Sequence, residues 1–261
     1  MRLQGKVAFI TGAGAGIARA AADLFSSEGA SVVVAEIDKA SGAAAEKALR
    51  DLGRQAIHVR TDVTQEESVR EAVERGARAF GKIDILFNCA GGSVVEDSLV
   101  TDVDLQDVWQ RTMQVNLLGT MICCRHVIPR IAAAGGGAVI SMSSGAALRG
   151  ASPLQVYTAA KGGIVALTRS MAGAYAKQNV RVNAICAGRI QTGRNVLKYG
   201  ADGTSGGTAV DRQPAGEQLK QYPYWLGRPI DIANIALFLA SDESRMITGA
   251  AIPADGGRSA Y

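Results

Sequence analysis

Seven short runs of strand-forming residues recur along the chain, each apolar nearly throughout and each separated from the next by a stretch with helical periodicity. They are KVAFIT (Lys6 to Thr11), VVVAE (Val32 to Glu36), AIHVR (Ala56 to Arg60), IDILF (Ile83 to Phe87), AVISM (Ala138 to Met142), VRVNAI (Val180 to Ile185) and AAI (Ala250 to Ile252). A strand apolar on both faces must be covered on both sides, and strands joined through helices run parallel with right-handed crossovers. The pattern predicts an α/β sandwich, a parallel sheet with helices on both faces. No Pro/Ser-rich linker, composition shift or internal repeat divides the 261 residues, so one domain over 1–261 is expected. Only Gly193 to Tyr222, rich in glycine and polar residues, breaks the pattern. Such an insert reads as a mobile lid over a substrate site.

Bulk chemistry excludes several functions. The 28 Lys and Arg residues are interspersed with 24 Asp and Glu, leaving a net charge of +4 with no basic stripe of the kind that tracks nucleic acid. The start, MRLQGKVAFITG, carries only a short apolar run before a Gly-rich turn, too short for a secretory signal or a membrane span, so a cytoplasmic protein is expected. Cys89, Cys123, Cys124 and Cys186 show neither metal-ligand spacing nor a disulfide framework, and no metal site is expected.

Three local patterns carry chemistry. TGAGAGIA (Thr11 to Ala18) lies between the first strand and the first helix, where backbone N–H groups and a helix N-terminus suit an anion such as a dinucleotide pyrophosphate. Its glycines, Gly12, Gly14 and Gly16, depart from GxGxxG spacing, so alone the motif also fits an ordinary tight turn. Glu36 ends the second strand about 20 residues further on, where a carboxylate accepts hydrogen bonds from ribose hydroxyls and repels a 2′-phosphate. That favours NAD over NADP, although Arg19 and Lys39 are close in sequence and a solvated glutamate at a strand end is the alternative. Finally, YTAAK puts Tyr157 and Lys161 on one helix face, and a cation beside a phenol favours phenolate. Taken alone the spacing better fits a packed ring beside a solvated charge, and only the rest of the chain overturns that reading.

Together with Asp62 after the third strand, NCAG at Asn88 to Gly91, Asn116, the Ser143/Ser144 pair and NAICAGRIQT (Asn183 to Thr192), these motifs resemble the short-chain dehydrogenase/reductase family. The tail LFLASDESRMITGAAIPADGG is similar to that family's C-terminal region, so the resemblance covers all but the insert. It implies a Rossmann-like, doubly wound fold with a seven-stranded parallel sheet and a tetrad of Asn116, Ser144, Tyr157 and Lys161. Ser144 is chosen because the family's serine lies thirteen residues before the tyrosine, with Ser143 as the fallback. The resemblance further implies that Gly12 and Gly16 line the pyrophosphate, Asp62 and Val63 meet the adenine, Asn88 and Ala90 flank the nicotinamide riboside, and Ile190 and Thr192 hold the carboxamide. Gly14, Ile17, Gly91 and Gly188 complete the expected cofactor contacts, beside Tyr157 and Lys161.

The activity so implied is NAD(H)-dependent interconversion of a secondary alcohol and a ketone, with Tyr157 as general acid and base, Ser144 bonding the substrate oxygen, and Asn116 anchoring a water that leads from Lys161 to solvent. Ser93, Val94, Leu148, Arg149, Gln155 and Arg189 are expected to border the substrate, a small molecule of unnamed shape. Family habit implies a homotetramer. Rivals are an NADPH-dependent 3-ketoacyl reductase of the same family, a sugar-nucleotide epimerase or dehydratase, and a non-catalytic dinucleotide sensor, which would not need the tetrad. Three departures from the family pattern stand out. Ala18 replaces the last glycine of the turn, Ala187 replaces a proline and so loosens the start of the substrate loop, and Cys89 replaces an asparagine. No histidine or basic residue lies near Cys89 in sequence, so it is not expected to be a nucleophile.

Overall fold

The computed structural model describes residues 1–150, 152–193 and 224–260. The expected insert, Gly193 to Tyr222, therefore lies almost wholly outside the described residues, and so does its reading as a lid. The described elements are β1 (Val7–Thr11), α1 (Gly16–Ser27), β2 (Ser31–Glu36), α2 (Lys39–Asp51), β3 (Ala56–Arg60), α3 (Glu66–Phe80), β4 (Ile85–Asn88), α4 (Asp107–Met113), α5 (Gly119–Ala133), β5 (Gly137–Ser144), α6 (Gln155–Tyr175), β6 (Val180–Ala187), β7 (Arg189–Ile190), β8 (Leu226–Gly227), α7 (Pro229–Ala240) and β9 (Ala251–Ala254).

All seven expected strands join one sheet, in the order β3-β2-β1-β4-β5-β6-β9, and every pairing is parallel. β7 and β8 form a separate two-stranded ladder that the sequence reading did not anticipate. Alternation along each strand sends side chains to two cores. Ala8, Ile10, Val32, Val34, Ile85, Phe87 and Ile140 pack with Phe25 of α1 and Ala236 of α7 on one face. Val7, Phe9, Val33, Leu86 and Val139 pack with Val73 of α3 and Val127 of α5 on the other. Phe25 and Phe87 stack with centroids 6.4 Å apart. Each such fully buried ring contributes about 1.5–3 kcal/mol. Cys123 and Cys124 are buried in the second core.

Because the strands are parallel, their carboxyl ends lie along one edge, and the loops beyond Arg60, Glu36, Thr11, Asn88, Ser144, Ala187 and Ala254 follow each other in sheet order. Helix boundaries keep that edge open. Asp38 caps α2 by accepting from Ser41 N–H at 2.8 Å, whereas α1 starts at Ala15 with no side-chain cap and no acidic residue in its first turn. Its first N–H groups face the edge without a side-chain acceptor of their own. Between α4 and α5 the chain makes a π-helical turn, Gln114–Leu118, which turns Asn116 inward. No described helix is long and apolar enough to cross a membrane.

Candidate active site

A cavity of about 860 Å³ runs along the carboxyl edge of the sheet. At the β1 end, Gly12 adopts φ 72°, a conformation open to glycine, and a Cβ there would lie 3.2 Å from Ala90 Cα, so the turn after β1 sits directly against the loop after β4. Thr11 Oγ1 fastens the two loops by accepting from Cys89 N–H at 3.0 Å and Ala90 N–H at 3.1 Å. Glu36 binds back to the glycine turn: its Oε2 accepts from Gly14 N–H and its Oε1 from Asp38 N–H, both at 3.0 Å. A Cβ on Gly14 would fall 2.9 Å from Glu36 Cγ, so glycine is what lets the carboxylate approach. Arg19, the nearest candidate cation in sequence, is instead held by Asp23 at 3.0 Å along α1.

Ser144, Tyr157 and Lys161 share the cavity wall. Ser143 Oγ donates to the Lys161 carbonyl at 2.8 Å and is buried, whereas Ser144 is partly exposed and its Oγ accepts from Ala146 N–H at 3.2 Å. Both serines are on the cavity wall, but Ser143 Oγ is committed to bracing α6, whereas Ser144 is the more exposed of the two. Lys161 is 4% exposed, its Nζ donates to the Met142 carbonyl at 2.8 Å, and it lies 5.6 Å from the centroid of the Tyr157 ring. Burial lowers the lysine pKa to about 8, bringing the ammonium close to release near neutral pH. A phenol and a buried ammonium this close, beside a hydroxyl, can pass one proton to and from a small substrate.

Of the remaining expected cofactor residues, Gly12, Gly16, Ile17, Glu36, Asp62, Val63, Ala90, Gly91, Gly188, Ile190 and Thr192 line the cavity, as do Ser93, Val94, Arg149 and Arg189 of the expected substrate residues. Five expected residues are not on the wall. Gly14 lies behind it, against Glu36. Asn88 is buried under it and donates to Ser141 Oγ at 3.2 Å. Gln155 accepts from Val100 N–H at 2.7 Å, tying a loop to α6 instead of meeting substrate, and Leu148 also stays off the lining. Asn116 is fully buried. Its Oδ1 accepts from Gly92 N–H at 3.0 Å, and its Nδ2 donates to Gly92 O at 3.0 Å and to Thr112 O at 2.8 Å. The side chain thus clamps the loop that carries Gly91, one layer behind the cavity.

The three departures are absorbed locally. Ala18 is buried in the first core. Pairing of β6 with β9 runs through Ala187, and Gly188 N–H donates to Ala254 O at 2.9 Å, so the chain leaves the sheet only beyond Gly188. Burial pushes the Cys89 thiol up to about 12 against the opposing pull of Lys161, which favours the protonated form at neutral pH. Among the described residues no cluster of His, Cys, Asp or Glu could hold a metal ion.

Several residues of the site escaped the sequence reading, among them Arg111, Asp255 and Arg258 on the cavity wall and Asp97 behind it. Asp97, 2% exposed, accepts from Val156 N–H at 3.1 Å and Tyr157 N–H at 2.8 Å, supplying the N-terminal cap that Leu154 does not give to α6. Asp97→Ala leaves both donors unpaired and is expected to lower unfolding stability by about 2 kcal/mol in chemical denaturation. A change below about 0.5 kcal/mol would mean that solvent replaces the cap.

The whole pattern has counterparts. Residues 12–259 match the family described as enoyl-(acyl carrier protein) reductase. A cis-4-hydroxycyclohexanecarboxylate dehydrogenase of Sinomonas cyclohexanicum is 37% identical over 98% of this chain and 97% of its own. A 3-oxoacyl-[acyl-carrier-protein] reductase of Thermotoga maritima is 34% identical over 98% and 99%. Among solved structures, a chain from Burkholderia xenovorans assigned to the short-chain dehydrogenases/reductases superposes with TM-score 0.89 at 34% identity, covering 100% of this chain and 98% of that one. A 7α-hydroxysteroid dehydrogenase, complexed with NADH and 7-oxo glycochenodeoxycholic acid, superposes with TM-score 0.85 at 32% identity over 98% and 95%. With the parallel sheet, the glycine turn and the Ser144, Tyr157 and Lys161 wall in one cavity, these matches make the chain a member of the short-chain dehydrogenase/reductase family of oxidoreductases.

Proposed function

We propose that this oxidoreductase uses NAD(H) to interconvert a secondary alcohol and a ketone, with Tyr157 as the general acid and base. The observation that carries the reading is the shared wall of Ser144, Tyr157 and buried Lys161. A dinucleotide fits the residues present: the uncapped start of α1 suits a pyrophosphate, and Glu36 reaches the end of β2 where a ribose would hydrogen-bond. The NADH bound in the hydroxysteroid dehydrogenase structure supports the same cofactor class.

When bound, the nicotinamide accepts or supplies the hydride. The chain's own residues manage the rest. Ser144 Oγ donates to the substrate oxygen, and Tyr157 Oη takes the alcohol proton in oxidation and returns it in reduction. Lys161 holds positive charge beside the ring and stabilises phenolate. Asn116 fixes Gly92, and through it the loop of Ala90 and Gly91 that walls the cavity. Exposed Trp109, Leu118 and Met121 on the α4–α5 stretch support a homotetramer, which light scattering tests by mass.

A second reading, NADPH-dependent 3-ketoacyl reduction, gains support from the acyl-carrier-protein reductases among the matches. Glu36 opposes it, because its carboxylate meets a 2′-phosphate as a like charge and Arg19 is turned toward Asp23. Wild type is expected to prefer NAD by roughly thirtyfold in kcat/KM, about 2 kcal/mol, and Glu36→Ala to narrow that gap. Assays of a secondary-alcohol panel, the cis-4-hydroxycyclohexanecarboxylate of the Sinomonas relative among them, test both points. A wild-type preference for NADP would decide for the ketoacyl reading.

A further inference from the structure

Sheet order separates the charges that line the cavity. Glu36 and Asp62 follow β2 and β3 at one end, whereas Arg149 follows β5, Arg189 lies just beyond β6 and Arg258 follows β9 at the other. Arg111, also on the lining, is matched by Glu96 at 3.3 Å and Asp107 at 2.5 Å. Asp255 is the carboxylate at the arginine end, and both of its oxygens are engaged within its own turn, Oδ1 by Gly257 N–H and Oδ2 by Ser259 N–H, each at 3.0 Å. The Arg258 guanidinium is seated 3.6 Å from the centroid of the Trp225 ring.

Arg149 is half-buried, lines the cavity five residues beyond Ser144, and has neither an ion pair nor a hydrogen bond among the described residues. A guanidinium cannot shed its proton, and its planar fork matches a carboxylate in a bidentate pair. The glycine turn follows β1, two strands from β5, so a pyrophosphate held there is roughly 10 Å from the segment carrying Arg149 and does not neutralise it.

We propose that the β5–β6–β9 end of the cavity is a subsite for a carboxylate on the substrate, received by Arg149 while the alcohol or ketone lies at Ser144 and Tyr157. The inference rests on the oxidoreductase reading above and narrows its substrates to hydroxy and oxo acids whose carboxylate is remote from the reacting carbon.

The test measures binding by calorimetry on NADH-saturated protein, so that the answer does not depend on turnover. The probes are matched pairs, 4-oxopentanoate with its amide and 3-oxocyclohexanecarboxylate with its carboxamide. At least one acid is expected to bind about tenfold or more tightly than its amide, the scale of a hydrogen bond to a charged group, and the advantage is expected to fall below about threefold in Arg149→Gln. Equal or absent binding of the acids and amides, or an advantage that Arg149→Gln leaves intact, overturns the subsite while leaving the oxidoreductase reading in place. Acetoacetyl-CoA is compared with its neutral N-acetylcysteamine thioester. A charge preference seen only in that pair assigns the anion to a carrier phosphate and overturns the carboxylate. Failure of NADH to saturate the protein overturns the oxidoreductase reading and this inference together.

Discussion

Tyr157→Phe is expected to lower kcat for alcohol oxidation by at least about 10²-fold while NADH binding stays within about twofold of wild type. The substitution keeps the ring that lies 5.6 Å from Lys161 Nζ and deletes only the hydroxyl. Packing at the start of α6 is held from outside the ring, by Asp97 on the backbone and by Ser143 on the Lys161 carbonyl, so the variant keeps its fold. What it loses is the hydroxyl proposed to exchange the proton. Single-turnover kinetics with NADH fluorescence separate the two effects, and near-normal turnover would remove Tyr157 from the chemistry.

Lys161→Met is expected to be nearly as severe, lowering kcat/KM by about 10²-fold or more, and to change the pH profile in a defined direction. A cation beside a phenol lowers its proton affinity, so removing it moves the acidic limb of the oxidation profile upward, by at least about one pH unit. In wild type the lysine itself titrates at about 8, so its charge supports phenolate below that pH and fades above it, and the two groups titrate as a pair. Stability gives an independent check. The lysine binds its proton at 10.5 when unconstrained and at about 8 in the fold, so the unfolded chain holds more protons in that window. Wild-type stability therefore rises relative to Lys161→Met between about pH 8 and 10.5. An unshifted profile together with a flat stability difference would mean that Lys161 is not the partner of Tyr157.

The seven strands were legible because burial on both faces demands continuous apolar runs, and each run is found in the sheet. Their ends were less so. β5 and β6 extend to Ser144 and Ala187, beyond the apolar stretches, because Ser143 and Ser144 pair with Cys186 and Ala187 whatever their polarity. The ladder of β7 and β8 depends on two residues apiece from segments far apart in the chain, which no local pattern marks. Within the site, residues just beyond strand ends could be placed from motifs, since the parallel fold gathers those ends at one edge. The choice between two adjacent serines could be argued only from a resemblance; both line the cavity, and the bond to Lys161 O that occupies the Ser143 hydroxyl is a contact that no local pattern marks. Asp97 left no trace in the sequence because its partners lie 59 and 60 residues away. The π-helical turn that turns Asn116 behind the wall likewise has no sequence signature, so Asn116 could be named without its clamp on Gly92 being foreseen.

The strand order also divides the labour of the chain. Glu36 and Asp62 belong to the first quarter of the sequence, and Arg149, Arg189 and Arg258 to its last half, with β1 and β4 standing between β2 and β5 in the sheet. Three strand spacings put these groups on the order of 14 Å apart, beyond the range at which substitutions usually couple. A lineage carrying this fold can therefore alter what meets the adenosine end of a dinucleotide through residues before β4, and what meets the substrate through residues after β4, with neither change forcing the other. Recombination between Asn88 and Ser93 would pass the two specificities on as separate inheritances.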